Sequence, residues 1–160
     1  MPKQIQSNPD AFKDFRDRFG LYYLAVNPGY KYVKFQQEKI VPALEALERG
    51  EIRRLAIFLS PGHAKSDLAT RAFVPWYLGR HPTENAMVCS YSANLASDDF
   101  GARIKRRMES ELHCAIFPQS RITRDSRSKT QFTTVSGGIF YSVGFAGGLT
   151  GKRLDLICMD

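Results

Sequence analysis

The order of apolar patterns along the chain predicts an α/β protein: a three-layer sandwich with a mostly parallel sheet, helices on both faces and a β-hairpin. Three observations carry this. Short continuous apolar runs at 54–59, 86–89 and 154–159 read as buried strands. Stretches between the first runs space their apolar residues by three and four, as helices do. Pro-Gly and Gly-Gly pairs mark the turns.

The elements follow in order. Asn8-Pro9-Asp10 supplies a capping residue and a first-turn proline, and Phe12, Phe15, Phe19 and Tyr23 then share one helical face. Gly20 and Asn27-Pro28-Gly29-Tyr30 mark a turn-rich link. Residues 1–34 are therefore expected as an N-terminal helical and linker segment, and 35–160 as the main domain. A second helix spans 35–49 and stops at Gly50, with Pro42 marking a late start or a kink. "RLAIFL" is the first strand, expected to be buried on both faces. Pro61-Gly62 ends it, and a helix from Lys65 presents Leu68, Ala69, Ala72, Phe73 and Trp76 on one side. "NAMVCSYS" is a second strand, followed by one long helix over 93–112. Past Phe117-Pro118, "KTQFTTV" and "GGIFYSVGF" form a hairpin around Ser136-Gly137-Gly138. "LDLICM" is a last buried strand ending at Asp160. A buried parallel strand with no crossover after it is expected of a piece cut from a longer chain.

Composition narrows the function. The 160 residues, 43% hydrophobic and 24% charged, suffice for one core and exclude wholesale disorder. A net charge of +7 favours a polyanionic partner such as nucleic acid. Cys89, Cys114 and Cys158 are odd in number and widely spaced, which fits a reducing compartment and no cysteine metal site. The longest leader-like run, "LYYLAV", has six residues, and nothing approaches the ~20 apolar residues of a membrane span. A cytoplasmic, non-membrane protein is expected.

The chemistry concentrates at "LSPGHAKSDLAT". A strand leads into a Pro61-Gly62 turn, and a helix begins at Lys65 and Ser66. This is the layout in which backbone N–H groups and a helix N-terminus converge on phosphate. Against G-x-x-x-x-G-K-[ST], Leu59 and Ala64 replace the two glycines. A left-handed Ala64 costs about 1–2 kcal/mol, and Gly62 still supplies a flexible turn. Asp160, ending the last strand, places a carboxylate at the sheet edge where open α/β sheets bind ligands, and there it can hold magnesium through water.

Three segments together, "ALERGEIRRLAIFLSPGHAKSDLATRAFVPWYLGRHP", "SYSANLASDDFGARI" and "YSVGFAGGLTGKRLDLICMD", resemble the ATPase domain of the large terminase subunit of tailed bacteriophages, a DNA-packaging motor. The resemblance covers roughly residues 35–160. It implies a P-loop NTPase fold, ATP and Mg2+ as cofactors, and translocation of double-stranded DNA into a procapsid. It further implies a portal protein and a small terminase subunit as partners, a homo-oligomeric ring, and the host cytoplasm as location. Lys65 and Asp160 match the family's catalytic pair, Ser66 and Asp160 its magnesium ligands, and Pro61, Gly62, His63, Ala64, Lys65 and Ser66 its phosphate-binding loop. The family's second acid would follow Asp160, so these 160 residues alone are expected not to turn over.

Further candidates follow from the comparison. Gln36 and Gln37 stand where related motors read adenine, a role a carboxamide can perform; they can equally be first-turn helix residues. The family often has an arginine where Gly62 stands, and Lys152 and Arg153 are candidates to supply that charge to a neighbouring subunit. Arg121, Arg124, Arg127 and Lys129 are candidate DNA contacts. Arg103, Lys105, Arg106 and Arg107, interleaved with acids, read as a solvated face. His63 is placed to donate to a phosphate or to cap its turn, and His81 and His113 read as surface or helix-end residues. The alternatives are a nucleotide- or DNA-binding module without turnover and a helicase-like repair ATPase.

Overall fold

The structure is a computed structural model that describes residues 12–126, 128–145 and 151–160. The expected cap at Asn8-Pro9-Asp10 lies outside them. Two short helices, α1 (Lys13–Asp17) and α2 (Phe19–Val26), replace the single one expected, because Arg18 between them is extended at φ −127°, ψ 106°. Gly20 sits inside α2 rather than in a turn. A Cβ there would lie 3.0 Å from Val41 Cγ1, so the glycine serves close helix approach.

A wide π-helical turn, Gln36–Ile40, opens into α3 (Val41–Glu48). Pro42 has no N–H to bond the preceding turn, and the wide turn comes just before it. Gly50, at φ +72°, ends α3 while the Glu51 N–H bonds the Ala46 carbonyl at 3.0 Å, a left-handed C-terminal cap. The same π-to-α pattern recurs at Asp67–Ala72 before α4 (Phe73–Arg80) and at Leu95–Gly101 before α5 (Ala102–Met108). The long helix expected over 93–112 stops at Met108. Ser110 is extended there and accepts the His113 N–H as the N-cap of α6 (Glu111–Ile116).

Four strands form one mixed sheet in the order β2-β3-β1-β4, made of β1 (Ala86–Ser90), β2 (Gln131–Thr133), β3 (Ile139–Gly144) and β4 (Leu156–Met159). β1 runs parallel to β3 and β4, with Ala86 opposite both Phe140 and Leu156. β2 and β3 form the expected antiparallel hairpin, turning at Gly137 with φ +98°.

Two expectations are corrected. The run 54–59 is not in the sheet: Leu55, Ile57 and Leu59 are half-buried against the core, Ala56 is exposed, and Phe58 is 90% exposed. Its alternation is that of an extended segment with one face covered, and a cavity of about 330 Å3 separates it from β4. β4 is consequently an edge strand. Leu156 is buried, but Ile157 and Met159 are 55% and 73% exposed. Register puts Ala86, Val88, Phe140, Ser142, Leu156 and Cys158 on one face, and helical Ala96 and Thr70 both bond residues of that face. The other face carries Met87 and Cys89, which are buried, Tyr141 and Val143, which are half-buried, and Ile157 and Met159, which are exposed. The architecture is α/β, with helices packed on a four-stranded mixed sheet.

The core brings the N-terminal segment into the same unit. Phe19, Tyr22 and Tyr23 of α2 are buried with Phe73 and Trp76 of α4, and the Trp76 indole donates to the Phe15 carbonyl at 3.1 Å. Truncating such a buried ring costs about 3–5 kcal/mol. His113 lies in the last turn of α6, the helix-end position expected of it, but it is fully buried, not at the surface. Its Nδ1 lies 2.8 Å from the Tyr22 hydroxyl and its Nε2 3.0 Å from Ser120 Oγ. Both ring nitrogens have partners, so the neutral imidazole is satisfied in place.

Burial, with Arg107 adding repulsion, lowers the His113 pKa from 6.5 to about 3. Below about pH 6.5 the unfolded chain binds a proton at this position that the folded chain refuses. Stability therefore falls on acidification between pH 6.5 and 3, with a slope approaching ~1.4 kcal/mol per pH unit. Urea unfolding between pH 7 and 4.5 checks this: His113→Gln should be less stable at pH 7 and lose most of the slope.

Candidate functional site

The loop between the 55–59 segment and the Lys65 helix uses two left-handed residues, Gly62 at φ +86° and Ala64 at φ +52°. Ala64 thus adopts a conformation that glycine takes without penalty, and bears the strain of its Cβ, about 1–2 kcal/mol. The surroundings hold this geometry. Gln36 is 2% exposed; its Nε2 donates to the His63 carbonyl at 2.9 Å, and its Oε1 accepts from the Tyr30 hydroxyl at 2.8 Å and the Val33 N–H at 3.2 Å. His63 caps its own turn, with Nδ1 3.1 Å from the Ser60 carbonyl and 3.3 Å from that of Pro61. The carboxamide of Gln36 is thus committed to the loop, while Gln37 is exposed.

Lys65 and Asp160, 95 residues apart, meet: Nζ to Oδ1 is 2.7 Å. β4 aims the aspartate there, since it pairs parallel to β1 and the Asp160 N–H donates to the Cys89 carbonyl at 3.0 Å. The second carboxylate oxygen accepts from the Thr70 hydroxyl at 2.9 Å, and Thr70 Oγ1 also lies 3.2 Å from Cys158 Sγ. Burial alone would raise the Asp160 pKa. The bonds from Lys65, Ser66 and Thr70 and the lysine charge outweigh it and hold the carboxyl below its ordinary range. Asp160 is therefore ionised at neutral pH.

Thr70 escaped sequence reasoning. Its signal was faint: a threonine on an otherwise apolar helix face, five residues beyond Lys65. The π-type bonding of 67–72, from i to i+5, changes which residues share a side and brings Thr70 to the carboxylate. Asp67 was missed as well. It accepts from the Tyr23 hydroxyl at 2.8 Å and lies 3.6 Å from Arg107, tying α2 and α5 to the turn after Ser66.

Other predicted residues lie elsewhere. Lys152 and Arg153 precede β4, at the end of that strand opposite Asp160, with Lys152 Nζ 3.8 Å from the centre of the Tyr141 ring. Arg121, Arg124 and Lys129 are exposed near β2, at the sheet edge away from β4, and Lys129 pairs with Asp98. Arg127 lies outside the described residues. Among the described residues, no group of three His, Cys, Asp or Glu side chains forms a metal site. Magnesium needs less from the protein: one carboxylate and a hydroxyl, with water and phosphate oxygens completing its shell. Asp160, Ser66 and Thr70 are an all-oxygen donor set that fits it.

No helix among the described residues is long and apolar enough to cross a membrane. No protein-family model, curated protein or solved structure matches the chain.

Two substitutions test the loop. Ala64→Gly relieves the left-handed strain and loses about 0.4–1 kcal/mol through the unfolded chain, so its melting temperature should match or exceed wild type, whereas Ala64→Val should melt lower. Gln36→Ala leaves three polar groups without their partner and should cost about 1–3 kcal/mol. Where the loop takes a purine nucleotide, affinities for ATP and GTP should then fall by the same factor; a changed ATP-to-GTP ratio would instead assign Gln36 to base reading.

Proposed function

We propose that the chain binds Mg-ATP at the 61–66 loop. On this reading it is the nucleotide-binding portion of a DNA-packaging ATPase of the terminase large-subunit kind. In the complete protein, hydrolysis would drive double-stranded DNA into a procapsid, with a portal protein, a small terminase subunit and a ring of copies as partners. The observation that carries the reading is the Lys65–Asp160 contact, because two motifs singled out separately in the sequence converge on one point. The left-handed loop and the sequence resemblance support it further.

The residues divide the work by chemistry. The backbone N–H groups of 62–65 and the start of the Lys65 helix favour phosphate oxygens. With nucleotide bound, Lys65 would pair with a terminal phosphate in place of the Asp160 carboxylate, and Asp160, with Ser66, would hold the cation. Neither charge would be left unpaired by the exchange. Magnesium held there would neutralise charge on the phosphate oxygens. Lys152 and Arg153, remote from their own loop, are assigned to a neighbouring subunit's site, and Arg121, Arg124, Arg127 and Lys129 to DNA phosphates. Among the described residues no second carboxylate contacts Lys65 or Thr70.

Titration with a fluorescent ATP analogue in magnesium tests the reading. Saturable binding is expected, with Kd raised at least tenfold in Lys65→Ala and the magnesium-dependent part of the affinity lost in Asp160→Asn. Equal affinity of Lys65→Ala and wild type would remove the nucleotide assignment.

A further inference from the structure

A second charged cavity lies on the other side of the Lys65 helix. It has a volume of about 370 Å3 and is lined by Arg71, Arg103, Arg106 and Arg107, with Asp67 beside them and Leu112 on an apolar wall. Residues 103, 106 and 107 share one helical face by their i, i+3, i+4 spacing. Lys105 belongs to another: its Nζ donates to the Ser126 carbonyl at 2.7 Å. The basic run that reads in sequence as one solvated face is therefore split, and three of its members join Arg71 from a different helix.

The cluster is not neutralised by its own acids. Asp99 pairs with both Arg71 and Arg103, and Asp67 lies 3.6 Å from Arg107. Arg106 makes no ion pair among the described residues. Four guanidinium groups thus face two carboxylates, a surplus of two positive charges. Hydrogen bonding is also incomplete. Arg71 Nε and Arg107 Nη1 are buried without an acceptor, although Arg107 Nη2 donates to Asn27 Oδ1 at 3.0 Å. A buried donor left unmet is costly, more so when charged, and buried polar groups ordinarily have partners.

We infer that this cavity is an anion site for a phosphoryl group, separate from the Lys65–Asp160 site. Planar guanidinium forks match the oxygens of phosphate, and a doubly charged phosphate balances the surplus where a single carboxylate leaves half of it. The ligand's source is either free phosphate or a phosphate carried on a nucleic-acid strand. Asp67 and Arg71 belong to the turn that follows Ser66, so an occupied site braces the helix that starts at Lys65.

Inorganic phosphate is the probe, titrated at constant ionic strength against chloride and followed by melting temperature and calorimetry. The expected result is one saturable site whose Kd rises at least tenfold in Arg103→Gln/Arg106→Gln and stays within twofold of wild type in Lys65→Ala. Both arginines of the double variant are exposed, so the fold should survive, and circular dichroism checks that it does. No saturable binding, or binding lost in Lys65→Ala and kept in the double variant, overturns the inference and leaves the nucleotide reading standing. Competition by an oligonucleotide bearing a 5′-phosphate, compared with the same strand without it, assigns the source: competition identifies a nucleic-acid phosphate, and its absence identifies free phosphate.

Discussion

The burial of β1 is the constraint on which the other elements depend. All five of its residues are covered, with Ala86, Met87 and Val88 fully inaccessible, and it pairs in parallel with a strand on either side. A strand that gives up all contact with water must have its backbone bonds met by neighbours. β3 and β4 meet them, and β4 is thereby held in a register that ends at Asp160. The Cys89 carbonyl, next to the end of β1, accepts the Asp160 N–H, so the position of the carboxylate is a consequence of sheet pairing.

The opposite half of the site is held by a different device. Lys65 starts a helix whose next turns place Leu68, Ala72 and Phe73 in the same core as the sheet. The loop before it carries a left-handed alanine, and such strain persists only where surrounding contacts over-determine the backbone. Gln36 supplies those contacts, bonding the loop through the His63 carbonyl while its oxygen is held by Tyr30 and Val33. A glutamine that looks like a base reader in sequence is, in three dimensions, a strut for the loop before Lys65. Thr70 plays the matching part on the aspartate side.

Charge is distributed with the same economy. The net +7 is not spread as a uniform field. Arg71, Arg103, Arg106 and Arg107 gather around one cavity beside the loop helix, while Arg121, Arg124 and Lys129 lie beyond the hairpin at the far sheet edge. Burial shapes electrostatics where charge does not: His113 is kept neutral by the apolar core, and Asp160 is kept ionised by three donors despite its burial.

The sequence by itself determined the elements whose signal is local. The buried β1, the hairpin at Gly137, the stop at Gly50 and the turn that leads into the Lys65 helix were legible because apolar period, turn residues and helix starts depend on neighbours in the chain. Even Asp160 was legible, as a polar residue closing an apolar run. Only the tertiary structure decided how those pieces meet. The 54–59 run has the composition of a buried strand, yet pairing needs a partner edge, and no local pattern says whether one is adjacent. The helix broken at Ser110, the burial of His113 and the union of Arg71 with the α5 arginines likewise rest on contacts between residues far apart in sequence. Such contacts are set by packing, which acts on whichever surfaces the fold brings together and leaves no periodic trace in the chain.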